Sequence, residues 1–413
     1  MGTDYRRNHY VPEWYQKNFI PPDGSGKLFY LRLKPKEFRD SKGGIHLEPA
    51  LRESSPGQCF YQKDLYTTRF GANVSRDIER YFFGLMDTNG QKAANHFANY
   101  VFPNWDGKPV QDLITYLSTQ KLRTPKGLDW LANTLGTTDG NRTLIEMQRF
   151  QDVFCATWVE CVWQIADAES SDTKFIISDH PVTIYNRECG PRNKKWCRGS
   201  NDPDIRLQGS HTVFPLSLNK VLILTNMSWV RNPYQSAVGE RPNPTLYHST
   251  VFDFHRLQIN RRLSEQEVRE INFVIKSRAY DYIAAGKEEW LYPEKFITKS
   301  NWNVYGDGLL FMPDPRSFNY GGEVYGGNNS GPTFAVDSYG RKPGDPNFGK
   351  EDIPPNQSTL PLYRFQGDFA RKFGTHRRGV AMEFGELEDE VDTETYHEYH
   401  LGLGKQKKSK NII

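Results

Sequence analysis

Five polar side chains lie in otherwise apolar motifs and are of the types that transfer protons or bind phosphate. They are His9, Glu79, Gln120, Arg123 and Asp179. His9 precedes a segment that Pro12 holds extended, and an imidazole titrates near neutral pH. It could therefore act as a general acid or base, or bind a metal ion. The alternative is that His9 only hydrogen-bonds a buried carbonyl group.

Glu79 and Arg123 are predicted to pair between two helices. Glu79 lies beside Ile78 and Phe82 on an apolar helix face, and a half-buried carboxylate needs a cationic partner. Arg123 lies at the C-terminal end of the predicted helix 110–122, where a guanidinium group either interacts with the helix dipole or binds a phosphate or carboxylate. The pair is therefore either part of a site or a structural salt bridge.

Asp179 follows an apolar strand and precedes a proline turn. Catalytic and metal-binding acids are common at such strand ends, although the carboxylate could also cap the turn. Together with Glu79 it predicts a site for a divalent ion, Mg²⁺ or Mn²⁺. His180 follows directly, but adjacent strand residues point to opposite faces, so we do not expect it to share an ion with Asp179.

A basic segment between two predicted strands could bind nucleic acid. Its cations are Arg187, Arg192, Lys194, Lys195, Arg198 and Arg206, with Trp196 among them. Basic side chains contact phosphates and an indole ring stacks on bases. The alternative is a solvated loop. The net charge of +3 excludes binding of nucleic acid by charge over the whole surface.

The composition predicts a cytoplasmic protein with reduced thiols and no membrane contact. No run reaches the roughly 18 apolar residues of a membrane-spanning helix, and the first residues lack the apolar core of a secretory signal. The cysteines are odd in number and scattered, at Cys59, Cys155, Cys161, Cys189 and Cys197. We interpret Cys189 and Cys197 as structural, with zinc binding as the less favoured alternative, because no second pair accompanies them.

Apolar periodicity predicts an α+β fold, in which a helical N-terminal half packs on a mainly antiparallel sheet and an irregular C-terminal tail follows. The predicted helices cover about 75–86, 91–101, 110–122, 143–167 and 264–285, and a capping box of Ser264 and Glu267 opens the last of them. The predicted strands are 27–33, 175–178, 182–185, 212–214 and 221–225, and 35–58 is predicted to be a loop. We expect a core domain over residues 1–289 and a Gly/Pro-rich extension with charged ends over 290–413.

The motifs around these candidates resemble a family catalogued as domain of unknown function 4238. NHYVPEWYQKNF (8–19) is similar to its HYVP opening, YQKDLY (61–66) to its DLY element and LSTQKLRTP (117–125) to its RTP segment. FIISDHPV (175–182) and FPLSLNKVLIL (214–224) are similar to two later elements. The resemblance covers about residues 8–285. It implies one α+β unit of mainly prokaryotic distribution and no settled activity, and it favours one cluster of the five candidates.

Two functions are compatible with these residues. The first is a nuclease-like phosphodiester hydrolase, acting as a defence or toxin effector, in which His9 transfers the proton and Arg123 binds phosphate. Asp179 and Glu79 would hold the metal ion. The second is a binding module without catalysis, for nucleic acid or protein, in which the same side chains form a hydrogen-bonded network.

Overall fold

The computed structural model describes residues 6–39, 43–100, 107–151, 153–159, 161–191, 193–197, 202–226, 236–239, 257–297, 299–305, 324–328, 331–336, 344 and 346. Within them the protein has the predicted α+β fold, with helices packed against mainly antiparallel sheets. No helix among these residues is both long and apolar enough to span a membrane.

The central sheet has five strands in the order β11, β12, β13, β9, β14. They are β9 (Cys161–Asp167), β11 (Thr183–Asn186), β12 (Ser210–Pro215), β13 (Lys220–Asn226) and β14 (Gln258–Arg262). Every pair is antiparallel except β9 with β14. The strands predicted near 182–185, 212–214 and 221–225 are therefore confirmed.

The prediction of a single helix over residues 143–167 is wrong. The segment forms α5 (Gly140–Arg149) and the short α6 (Cys155–Val159), and it then becomes strand β9. All seven residues of β9 are buried. A run that is apolar on every side is compatible with a buried helix and with a buried central strand, so periodicity alone cannot distinguish them.

The second sheet has four antiparallel strands in the order β10, β15, β2, β5. Its strands are β2 (Leu28–Arg32), β5 (Leu51–Ser54), β10 (Ile177–Ser178) and β15 (Tyr282–Ala285). The strand predicted at 27–33 is present as β2 and lies in the interior of this sheet, between β15 and β5. β15 also shortens the helix predicted to reach 285, which is α7 (Glu265–Arg278) with the predicted capping box between Ser264 and Glu267.

Small hairpins and paired strands occupy much of the chain before the helices. Their strands are β1 (Arg7–His9) with β6 (Tyr61–Lys63), β3 (Glu37–Arg39) with β4 (Ile45–Leu47), and β7 (Thr68–Phe70) with β8 (Asn73–Ser75). Segment 35–58 therefore contains β3, β4 and β5 and is not simply a loop. Apart from α1 (Glu13–Lys17), which lies between β1 and β2, and α7, the helices come after these strands, in the middle of the chain.

Three helices of this middle segment position the candidate residues. A π-helical turn (Ile78–Phe83) leads directly into α2 (Gly84–Ala98), which replaces the two separate helices predicted over 75–101. α2 packs against α3 (Gly107–Arg123), and α4 (Pro125–Leu135) follows after one residue. Thr124 caps α4 by accepting a hydrogen bond from the Gly127 amide.

The chain beyond residue 289 continues to pack on the core. Three 3₁₀ helices cover Glu288–Leu291, Pro293–Lys295 and Lys299–Val304, and Trp290, Leu291 and Trp302 are buried. The Tyr185 hydroxyl donates to the Trp302 carbonyl over 2.7 Å. The described core thus extends to Tyr305. A strand pair, β16 (Val324–Asn328) with β17 (Gly331–Val336), lies further on. The boundary predicted at residue 290 stays a prediction.

The close approach of α3 and α4 depends on a glycine. A Cβ atom on Gly127 would lie 2.1 Å from the backbone oxygen of Lys121. We expect Gly127→Ala to lower the free energy of unfolding by about 1–3 kcal/mol, because the two helices must separate. Gly84→Ala is the control, since a Cβ at Gly84 meets no atom within 4 Å. Urea unfolding should show a neutral or slightly stabilising effect there, and equal effects of the two substitutions would contradict the account.

Candidate functional site

The C-terminal end of α3 carries polar side chains on two faces. Gln120 and Arg123 hydrogen-bond each other on one face, whereas Lys121 and Thr124 both contact His180 on the other. Residues three apart on a helix share a face, whereas the side chains of adjacent residues point in directions about 100° apart around the helix axis. The predicted motif therefore contributes to two separate groups, which we call the arginine cluster and the lysine cluster.

The arginine cluster consists of Asn8, Glu79, Asp87, Gln120 and Arg123. The Arg123 guanidinium is buried and donates to Gln120 Oε1 over 2.7 Å, and its Nη2 lies 2.8 Å from Asp87 Oδ1. Gln120 in turn donates to the Tyr10 carbonyl over 2.8 Å. Phe83 and Tyr116 present their rings to the guanidinium at 5.1 and 5.9 Å. The carboxylate that pairs with Arg123 is thus Asp87, which the sequence analysis did not identify.

Glu79 is the acid of this cluster whose pKa is shifted. Burial raises the pKa of Glu79 to about 7, with Arg123 opposing the shift and Asp87 adding to it. Asn8 donates a hydrogen bond to the carboxyl group, while Glu79 Oε2 is buried with no hydrogen-bond partner among the described residues. The predicted proximity of Glu79 to Arg123 is present in the structure. A carboxyl group that is half protonated at neutral pH can either donate or accept a proton.

The raised pKa of Glu79 predicts a stability that depends on pH. The protonated Glu79 carboxyl group contributes to the free energy of unfolding. This contribution is fully present below the ordinary pKa of 4.5 and is lost as the pH rises through about 7, because burial in the folded protein disfavours the ionised form. We expect Glu79→Gln to stabilise the protein by about 2–3 kcal/mol more at pH 8 than at pH 4.5. Urea unfolding at both pH values measures the difference, with Glu294→Gln as an exposed control. A gain independent of pH would contradict the assignment.

His9 follows Asn8 in the chain, but its ring contacts groups outside the arginine cluster. Strand residues alternate in direction, so the buried Asn8 side chain joins the cluster, whereas the His9 ring contacts the Gly57 carbonyl at 3.3 Å and Glu13 at 3.6 Å. Burial lowers the pKa of His9. The structure thus shows the contact to a carbonyl that was the alternative interpretation. Asn8 was missed, although the period of two places it opposite His9.

Asp179 joins two elements of the fold. Its carboxylate accepts hydrogen bonds from the amides of Tyr280, Asp281 and Tyr282 over 2.6–2.8 Å, at the connection between α7 and β15. Burial raises the pKa of Asp179 to about 6, although these hydrogen bonds oppose the shift. No group of three or more metal-ligating side chains occurs in the described part of the chain. The site of Asp179 and Glu79 for Mg²⁺ or Mn²⁺ stays a prediction.

The lysine cluster consists of Lys121, Thr124, Lys126, His180 and Asp202. Lys121 Nζ lies 2.9 Å from one oxygen of Asp202 and Lys126 Nζ lies 2.9 Å from the other. His180 Nε2 is 3.1 Å from Asp202 and 3.2 Å from Lys121, while its Nδ1 is 2.7 Å from the Thr124 hydroxyl. Lys126 also donates to the Arg278 carbonyl over 2.6 Å. One carboxylate therefore receives two ammonium groups and an imidazole.

The charges of the lysine cluster follow from its burial. Desolvation and the neighbouring lysines lower the pKa of His180 to about 3, so its ring is neutral at pH 7. Lys121, Lys126 and His180 hold the pKa of Asp202 well below its ordinary value, against the effect of burial. Burial also lowers the pKa of Lys126. With both ammonium groups protonated, two positive charges face one negative charge.

A cavity of about 600 Å³ opens at the lysine cluster. Lys121, Lys126, His180 and Asp202 contribute to its wall. The remaining wall includes the aromatic side chains of Trp130, Phe154 and Trp196 together with Lys195 and Arg206. This combination of cationic and aromatic side chains is suited to an anion that carries a flat ring.

The predicted basic segment forms part of this cavity. Lys195 lies 4.9 Å from the centre of the Trp196 ring, and both residues line the cavity. Arg206 pairs with Asp204, and Arg187 lies 4.0 Å from Glu188. Arg192 and Arg198 lie outside the described residues, so their part of the predicted nucleic-acid surface stays a prediction.

Comparison with known proteins finds a similarity to one family over part of the chain and indicates no activity. The model of the family described as "Protein of unknown function (DUF4238)" matches residues 128–289. No curated protein and no solved structure is detectably similar to the chain. The match includes the motifs at 175–182 and 214–224, whereas the resemblances at 8–19, 61–66 and 117–125 precede it. Residues 128–289 of this protein are therefore similar to the DUF4238 family.

Proposed function

We propose that this protein binds nucleic acid and that the cavity at the lysine cluster holds one of its phosphate groups. The observation that carries the proposal is the convergence of Lys121 Nζ and Lys126 Nζ, each at 2.9 Å, on one carboxylate. Asp202 occupies a position where two ammonium groups and an imidazole can act together on an anion. A phosphate has more acceptor oxygens than a carboxylate and can take the same three contacts.

The charge balance favours an additional anion. Lys121, Lys126 and Asp202 carry a net positive charge in a largely buried setting, where their side chains are 11%, 1% and 8% exposed. Buried charges that are not fully balanced by opposite charges destabilise a protein. A phosphate that enters the cavity would supply the missing negative charge. The neutral His180 ring leaves this balance unchanged at pH 7.

The walls of the cavity favour a nucleotide over a free phosphate. Stacking of a base on an aromatic side chain contributes about 1–3 kcal/mol per base and does not depend strongly on sequence. Trp130 and Trp196 supply indole rings, and Lys195 adds a cation beside one of them. Arg187, Lys194 and Lys195, together with Arg192 and Arg198, would contact further phosphates.

A second candidate function is hydrolysis of the bound phosphodiester. His180 supports it, because Thr124 orients the ring through Nδ1 and the ring is neutral. In the tautomer whose Nδ1–H donates to Thr124, Nε2 is the acceptor: water would attack the phosphorus atom and give its proton to His180 Nε2, while the leaving oxygen would take a proton from Lys121. With a pKa of about 3, His180 is a weak base, so stabilisation of charge by the lysines would contribute more than proton transfer. A cytosolic defence or toxin effector would be a role for such a nuclease.

The experiment compares binding and cleavage in the same samples. Labelled single-stranded and double-stranded DNA and RNA are incubated with the protein, with and without Mg²⁺ or Mn²⁺, and followed by fluorescence anisotropy and denaturing gels. Binding without cleavage is the expected result for a binding protein. Cleavage that His180→Asn abolishes while binding persists would establish the hydrolase. Absence of binding at low salt would refute both functions.

The pH profile separates His180 from the candidates of the arginine cluster. Because the pKa of His180 is about 3, cleavage that uses it should not change between about pH 5 and pH 9. A rate that changes around pH 7 and loses this change in Glu79→Gln would instead assign proton transfer to Glu79.

A further inference from the structure

Two cysteines of the segment beside the cavity form a buried thiol pair. Cys189 and Cys197 are 0% and 6% exposed and belong to a small apolar cluster with Leu207. Successive backbone hydrogen bonds fold the segment between them, from Cys189 to Asn186, from Asn193 to Gly190 and from Cys197 to Asn193, over 2.8–3.1 Å. The two thiols are neighbours within this cluster. The fold thus places them in contact although they are eight positions apart.

A buried arginine activates one of the two thiols. The Arg278 guanidinium lies 3.5 Å from the Cys197 sulfur and also donates to the Cys189 carbonyl. The neighbouring Cys189 thiol and the positive charge of Arg278 hold the pKa of Cys197 below its ordinary value. The interaction with Cys197 raises the pKa of Cys189. The pair therefore has a thiolate that can attack and a second thiol that can resolve the product.

We propose that Cys189 and Cys197 are an oxidation site that forms a reversible disulfide with a peroxide as oxidant. The Cys197 thiolate attacks one peroxide oxygen, the O–O bond breaks, and hydroxide leaves with a proton as water. The Cys189 thiol then attacks the sulfenic sulfur, an S–S bond forms, and a second water leaves. Two thiols are oxidised by two electrons and one peroxide is reduced. A dithiol reductant reverses the reaction by thiol–disulfide exchange.

The geometry favours this chemistry over zinc binding. A structural zinc site needs four ligands, and the described residues contain no group of even three histidine, cysteine or acidic side chains placed to share an ion. Arg278 next to the sulfur would also repel a metal cation. The segment that the disulfide would close carries Lys195 and Trp196, which line the cavity. Oxidation would therefore fix the part of the wall that faces a ligand.

The test is the selectivity of oxidation in the full chain. Reduced protein is treated with hydrogen peroxide, alkylated, digested with trypsin and analysed by mass spectrometry. We expect a cross-link between the peptides 188–192 and 196–198, reversed by dithiothreitol. Cys155 is the internal control, because it is the most exposed of the five cysteines. Oxidation of Cys155 without the cross-link would overturn the proposal, since exposure alone would then determine reactivity.

A substitution separates the two steps. In Cys189→Ser the first step proceeds and the second cannot, so dimedone should trap a sulfenic acid at Cys197 several times more than in the wild type. Cys155→Ser should leave the cross-link unchanged. Equal trapping at Cys197 in the wild type and in Cys189→Ser would show that Cys189 does not resolve the intermediate and would refute the pair.

Discussion

Asp202→Asn is expected to lower the free energy of unfolding by about 3–5 kcal/mol and, at the same time, to strengthen phosphate binding. The Asp202 carboxylate accepts from Lys121 and Lys126, whose ammonium groups would remain buried without compensation. An entering phosphate would then meet no competing carboxylate. The substitution thus removes the Asp202 carboxylate and leaves its position between the lysines to the phosphate of a ligand.

The two effects are measured together by urea unfolding with and without inorganic phosphate or an oligonucleotide. Ligand stabilises the folded state by RT ln(1 + [L]/Kd), so the added stability should be larger for Asp202→Asn than for the wild type. Asp204→Asn is the matched control, because Asp204 is two residues away and its pair with Arg206 is 35% and 44% exposed. Its substitution should cost at most about 1 kcal/mol. A similar loss in both variants would contradict the account.

The loss in Asp202→Asn should also disappear in acid. The folded-state pKa of Asp202 lies well below the ordinary value of 3.8 because of Lys121, Lys126 and His180. The contribution of the carboxylate is therefore present above pH 3.8 and is lost as the pH falls through the folded-state pKa. The difference in stability between wild type and variant should shrink towards low pH.

Arg123→Met is expected to destabilise the protein by about 3–5 kcal/mol, because it removes a buried charge whose partners stay in place. The Arg123 side chain is 1% exposed and lies 2.8 Å from Asp87. It also lowers the cost of ionising Glu79, and its loss would raise the pKa of that carboxyl group further. Methionine keeps most of the volume, so the effect reports the loss of charge and hydrogen bonds.

Urea unfolding of Arg123→Met and Arg149→Met provides the comparison. Arg149 also ends a helix and also pairs with an acid, Glu146, but its side chain is 69% exposed. We expect the control to lose about 0–1 kcal/mol. If Arg123→Met unfolds with the same free energy as the control, the arginine cluster does not stabilise the fold. Nuclease or binding assays would then be needed to explain the buried guanidinium.

The sequence predicted the regular elements where periodicity and capping agree. The capping box at Ser264, the apolar stripe of α3 and the alternating strands β11 to β13 are all present. β9 was predicted wrongly because a strand buried on both faces lacks alternation. The π-helical turn was not predicted, because no composition rule separates it from an α-helix.

The candidate site shows a finer limit of sequence reasoning. The selected motifs do contribute side chains to the two clusters, but in two of them the residue that contacts its cluster is the neighbour of the one selected, namely Asn8 for His9 and His180 for Asp179. His180 was set aside because it faces away from Asp179, and that geometry is what directs it to the lysine cluster. Lys126 and Asp202 were missed. Asp202 is 22 positions from His180 in a segment without periodicity, so no local pattern indicates the contact.

The most direct test of the phosphate site is the salt dependence of nucleic-acid binding in three proteins. Wild type, Lys121→Met and Lys108→Met are titrated with a labelled single-stranded oligonucleotide at several salt concentrations. Lys108 lies on the same helix, but it is 66% exposed at the opposite end. We predict that Lys121→Met binds about 10–100-fold more weakly and that its salt slope falls by about 1, while Lys108→Met behaves like the wild type. Unchanged affinity and slope in Lys121→Met would contradict the phosphate site.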